Sequence, residues 1–104
     1  MKKGEHHIEE MAVKLFGSIS RPRILNLLLG HPERTFYQRE IMYETGLSLQ
    51  TVQRELENLS HLGILNKRDT RERVHYQANA ASPWFKPLQE ICGQGERDSW
   101  LSLE

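Results

Sequence analysis

A chain of 104 residues, 38% hydrophobic and 27% charged, has the make-up of one folded domain with a modest core, and a deep cleft between two domains would not fit. Fourteen Lys and Arg offset fourteen Asp and Glu, so net charge names no partner, and the single cysteine, Cys92, excludes an internal disulfide framework. No apolar run approaches the roughly 20 residues of a membrane span, and no signal-type stretch follows Met1-Lys2-Lys3, so a cytoplasmic protein with no membrane partner is expected.

Residues 1–7 read as a flexible N-terminus. From Ile8 to Phe16, apolar residues Ile8, Met11, Ala12, Leu15 and Phe16 recur at three- and four-residue spacing, the mark of an amphipathic helix. Gly17-Ser18 interrupts it. Ser20 then offers an N-cap, with Pro22 in the first turn where its missing N–H does no harm. The next helix, carrying Ile24, Leu25, Leu27, Leu28 and Leu29, is apolar around most of its circumference and so is expected to be buried. Gly30-His31-Pro32 ends it, because the residue before proline avoids helical backbone.

Thr35-Phe36-Tyr37-Gln38 reads as a capping box, with Thr35 at the N-cap and Gln38 three residues on. The short helix it opens contains Ile41 and Met42 and stops at Gly46. Ser48 caps the following helix, predicted over Leu49–Leu62, with Val52, Leu56, Leu59 and Leu62 down one side and Gly63 closing it in a left-handed conformation. Beyond Gly63 the period drops to two. Ile64-Leu65 and Val74, Tyr76 and Ala78 flank a polar tip, which predicts a β-hairpin of undefined turn type. Ser82-Pro83 starts a C-terminal helix through Trp84, Phe85, Leu88, Ile91 and Cys92, and residues 94–104 form a tail expected to fray.

The fold class expected is therefore mainly α with a small β-hairpin: a winged helix-turn-helix spanning residues 8–93, with extra N- and C-terminal helices. Its functional part is Tyr37 to Leu62, two helices joined by Gly46-Leu47-Ser48. Turning 100° per residue from Val52 puts Gln50, Gln53, Arg54, Glu57, Asn58 and His61 on the side away from the core. Gln pairs bidentately with adenine and Arg with guanine, so Gln50, Gln53 and Arg54 are the candidates for base edges in duplex DNA, and Ser48 and Thr51 for phosphates. A solvated helix shows a similar polar face; the order helix, turn, helix, hairpin favours the DNA reading. In the hairpin, Lys67, Arg68, Arg71 and Arg73 outnumber Asp69 and Glu72 and suit phosphate contacts. Residues 37–62 run the other way, with Arg39 and Arg54 against Glu40, Glu44, Glu55 and Glu57.

Leu15-Phe16-Gly17-Ser18, Pro22-Arg23-Ile24-Leu25, Phe36 to Ile41, and Gly46 to Leu56 together resemble the ArsR-like winged helix domains of prokaryotic regulators. They are especially similar to those found alone or fused to minimal nucleotidyltransferase domains, a likeness that Ser82-Pro83-Trp84-Phe85 extends to about residues 11–92. The resemblance implies a homodimer built from terminal helices, each protomer presenting its third core helix to a half-site. Ile8, Met11, Leu15, Trp84, Phe85, Leu88 and Ile91 are the candidate interface, unless they pack within one chain.

Metal-sensing members carry a Cys-x-Cys or a carboxylate and His set that is absent here. His6, His7, His31, His61 and His75 are scattered without ligand spacing, so no metal, cofactor or small-molecule ligand is identified. Phe16-Gly17-Ser18 is similar to the Gly-Ser motif of nucleotidyltransferases, but no Asp-x-Asp follows and Asp69 and Asp98 are the only aspartates, so an enzyme is not expected. The expected function is sequence-specific DNA binding by a homodimeric transcriptional regulator, a repressor. The alternative is a protein-interaction or dimerisation module docking a partner such as a nucleotidyltransferase.

Overall fold

The computed structural model describes residues 11–93; the expected flexible N-terminus, Ile8 and the tail lie outside them. Residues 11–16 are helical (α1), and Gly17 ends them at φ +79°, a left-handed conformation that costs glycine nothing, with its N–H on the Val13 carbonyl. Helix α2, Ser20–Gly30, is the centre of the core. Ile24, Leu25, Leu28 and Leu29 are wholly buried, as the apolar circumference predicts. Ser20 does not cap it. Ile19 holds the cap position in right-handed helical backbone, and its carbonyl already accepts from Arg23 N–H, so the extended geometry a serine cap requires is absent.

The segment after Pro32 departs most from expectation. Phe36–Tyr37 form a two-residue strand, β1, and the helix α3 that follows runs Gln38–Thr45. Thr35 therefore caps nothing. The N-cap is Tyr37, and Glu40 rather than Gln38 closes the first turn, its carboxylate accepting the Tyr37 N–H at 2.8 Å. The physical reason is Phe36: its ring is completely buried, and pairing with a neighbouring strand satisfies the backbone that such burial would otherwise strand.

Gly46, at φ +74°, turns the chain between α3 and helix α4, Leu49–His61. The last carbonyls of α3 are used: Gly46 N–H bonds the Met42 carbonyl, Thr45 Oγ1 bonds that of Ile41, and Arg23 reaches across from α2 to the Thr45 carbonyl. Ser48 caps α4 as expected, accepting the Thr51 N–H at 3.2 Å. The other end is a Schellman closure, with Gly63 N–H on the Ser60 carbonyl and Ile64 N–H on that of Leu59. Leu62 sits in the closing turn rather than on the helix, and is 55% exposed instead of in the core.

Strands β2, Leu65–Asp69, and β3, Val74–Ala78, form the expected hairpin, and β1 adds to the far edge of β3 to make an antiparallel sheet of order β1-β3-β2. Thr70 closes the tip by bonding the Arg73 carbonyl through both N–H and Oγ1. Among the described residues no non-glycine residue has positive φ, so the turn is neither type I′ nor II′.

Instead of one helix from Ser82, the C-terminal segment makes a single turn, α5 (Phe85–Leu88), then a wider π-helical turn over Gln89–Gly93. Gln89 and Asn26 side chains stitch it to α2, donating to the Leu29 and Cys92 carbonyls. The wider turn aligns these partners. Cys92 is buried there, and burial pushes its thiol up to about 11. A raised thiol value stabilises the fold below the unfolded value of 9.0, and that contribution is lost as pH rises from there toward 11. At pH 8 a thiol-specific disulfide reagent is expected to label Cys92 only as fast as the protein unfolds. Immediate labelling of the native protein would contradict this burial. Among the described residues no helix is long and apolar enough to cross a membrane.

Candidate nucleic-acid interface

Helix α4 divides cleanly. Val52, Leu56 and Leu59 are wholly buried, while Gln50, Gln53, Arg54, Glu57, Asn58 and His61 are all exposed. The 3.6-residue repeat produces this division, since every core residue lies within one stripe. The three residues expected at base edges, Gln50, Gln53 and Arg54, thus share one accessible face in the first half of the helix.

Ser48 and Thr51, expected at phosphates, are tied to each other. Ser48 Oγ accepts the Thr51 N–H and donates to Thr51 Oγ1 at 3.0 Å. Ser48 is therefore committed to the cap, and Thr51 is the one whose hydroxyl proton the cap does not use.

The hairpin leaves the core almost at once. Of β2 only Leu65 is buried, and Asn66, Lys67, Arg68 and Asp69 are all exposed, on both faces of the strand. Burial on β3 is confined to Tyr76 and Ala78 near its end. The distal half of the hairpin therefore projects into solvent beside α4, carrying Lys67, Arg68 and Arg71. Arg73 is drawn back: its guanidinium lies 4.5 Å from the centroid of the Tyr37 ring, which also meets His75 edge-on at 4.6 Å. Tyr37 thereby joins the hairpin to the start of α3.

Ion pairs alter the acidic balance of residues 37–62. Arg34 holds Glu40 at 3.1 Å, and Arg21 holds the buried Glu55 at 2.6 Å. Both arginines come from outside the segment, so two of its four carboxylates are offset locally. Glu44 and Glu57 stay exposed. These pairs add little to stability where they are exposed, but they change the field an approaching polyanion meets.

The apolar residues expected between protomers divide in two. Met11, Leu15, Trp84 and Ile91 are exposed, at 58%, 64%, 57% and 41%. Phe85 and Leu88 are half-buried against the chain's own core, so much of their surface is already used. Ile8 lies outside the described residues. Among the described residues, no three His, Cys, Asp or Glu side chains converge in a way that could hold a metal ion.

Arg21, Glu55 and Tyr37 were not legible as site residues. Glu55 gave one signal: it falls between Val52 and Leu56 on the apolar stripe, where a carboxylate requires a partner. No family model, curated protein or solved structure matches the chain.

Proposed function

We propose that this chain is a winged helix-turn-helix protein that binds duplex DNA as a homodimer and regulates transcription, acting as a repressor by occupying a two-fold symmetric operator. The observation that carries the reading is the pairing of an exposed Gln50, Gln53 and Arg54 face on α4 with a projecting hairpin that bears Lys67, Arg68 and Arg71. A helix of this diameter fits the major groove, and amide and guanidinium groups match the donor and acceptor patterns there. The hairpin serves as the wing, gripping phosphates without reading sequence. The likeness to ArsR-like domains supports the same assignment, as do exposed Met11, Leu15, Trp84 and Ile91, which suit a contact between protomers. No catalytic role is assigned.

The test is a titration of a fluorescent duplex, recovered by selection, against a scrambled duplex of the same length. Arg54→Ala is expected to cost about 1–3 kcal/mol on the selected duplex and little on the scrambled one. Equal losses on both would make Arg54 a phosphate contact and remove it from base reading.

A second reading, a module that docks a protein partner, draws on exposed Glu44 and Glu57 together with the exposed apolar residues. It requires weak DNA binding without sequence preference and a stable complex on co-purification, which the same titration separates from the first.

A further inference from the structure

The two oxygens of Glu55 face different arginines. Oε1 accepts from Arg21 Nε at 2.6 Å, and Oε2 lies 3.8 Å from Arg54 Nε. The Glu55 side chain is 7% exposed, that of Arg21 33% and that of Arg54 61%. A buried carboxylate on α4 is therefore bonded at one end to the first turn of α2 and at the other faces the guanidinium on the outward surface.

Stability alone gives little reason for such a group. Buried ion pairs contribute about as much as the apolar residues that could replace them, because desolvation offsets the attraction. The position of Glu55 has a more specific consequence. A short, charge-assisted bond to Arg21 fixes the carboxylate in place, so its second oxygen is a fixed point of negative charge beneath Arg54. Arginine otherwise samples many rotamers at an exposed site, and ordering it on binding costs affinity.

We infer that Glu55 is a positioning residue which, anchored by Arg21, holds Arg54 in the orientation that reads a base. This rests on the DNA reading above and names a determinant of specificity within it. Anchoring has a direction. The carboxylate restrains Arg54 from wandering to the nearest phosphate, so it raises discrimination between duplexes while lowering affinity for DNA in general, because it adds negative charge close to the groove.

The test compares affinities for a duplex recovered by selection from a random pool and for a scrambled duplex, in wild type, Glu55→Gln, Arg54→Ala and the double variant. Glu55→Gln keeps an acceptor for Arg21 and removes the charge. It is expected to tighten binding to the scrambled duplex and to lower the selected-to-scrambled ratio about tenfold, within the range a bidentate base contact commands. In the Arg54→Ala background the same change should leave the ratio unmoved.

A paired replacement, Arg21→Met with Glu55→Met, removes the charge while keeping the volume, and is expected to fold and to lower the ratio likewise. An unchanged ratio in whichever variant folds, or an equal fall without Arg54, would overturn the assignment. So would failure of both variants to fold, which would make the pair a structural bond alone. Absence of any duplex binding by the wild-type chain overturns the DNA reading itself and is a separate result.

Discussion

Replacing Lys67, Arg68 and Arg71 together with alanine is expected to weaken binding to every duplex and to flatten the salt dependence by roughly 3 in log–log slope, at about 0.9 per lost phosphate contact. The three side chains lie on the part of the hairpin that has left the core, where each is exposed. Every phosphate they neutralise releases condensed counterions, and that release is what salt opposes. Base preference should survive, because phosphate contacts carry no sequence information. Thermal stability should also survive within about 0.5 kcal/mol, as exposed substitutions away from packed features rarely cost more. Arg73 is left out of the set since it stacks on Tyr37. Binding measured across a salt series decides the matter. An unaltered slope would mean that the hairpin does not touch DNA.

The largest effect on folding is expected at Leu59. Its side chain is wholly buried, and its carbonyl receives the Ile64 N–H that closes α4, so it joins the helix, the glycine closure and the start of the hairpin. Leu59→Ala removes apolar surface and leaves a cavity, a loss of about 2–5 kcal/mol. A domain of this size has roughly 5–15 kcal/mol to lose, so the variant approaches the unfolding threshold and DNA binding should fall with it. Leu62, three residues on, supplies the control. It is 55% exposed, and Leu62→Ala should stay within about 0.5 kcal/mol. Urea unfolding should show a lower midpoint at constant slope for the first and little change for the second. A cost below about 1 kcal/mol at Leu59 would contradict the packing described.

The contrast between these leucines shows where local pattern stops being informative. The stripe through Val52, Leu56 and Leu59 is dictated by helical period, and Gly46, Ser48 and Gly63 mark the turns because backbone geometry admits few alternatives there. Leu62 fits the same period, but the chain bends one residue too early for it to reach the core. Strand β1 was invisible for a related reason. Two residues cannot display a period of two, and Phe36–Tyr37 are extended only because β3, some forty residues later, pairs with them. A capping box at Thr35 was the best local reading, and a distant strand overrode it.

The candidate interface divides in the same way. The exposed face of α4 could be read by turning 100° per residue, since no tertiary contact is needed to know which side faces outward. The Arg21–Glu55 pair spans 34 residues, and no spacing rule predicts it. Tyr37 beneath Arg73 likewise depends on how the sheet closes. The zero net charge concealed both effects: basic residues on a projecting hairpin, and acidic residues of α3 and α4 offset by arginines from elsewhere.

The account stands on α4 and the hairpin entering the grooves of duplex DNA, and selection from a pool of random duplexes with the purified protein tests that most directly. The predicted result is enrichment of one motif in two inverted halves, about one helical turn or roughly 10 base pairs apart, as a symmetric pair of reading helices demands. Recovery of no enriched sequence at micromolar protein and low salt, where even phosphate-driven binding is strong, would contradict it.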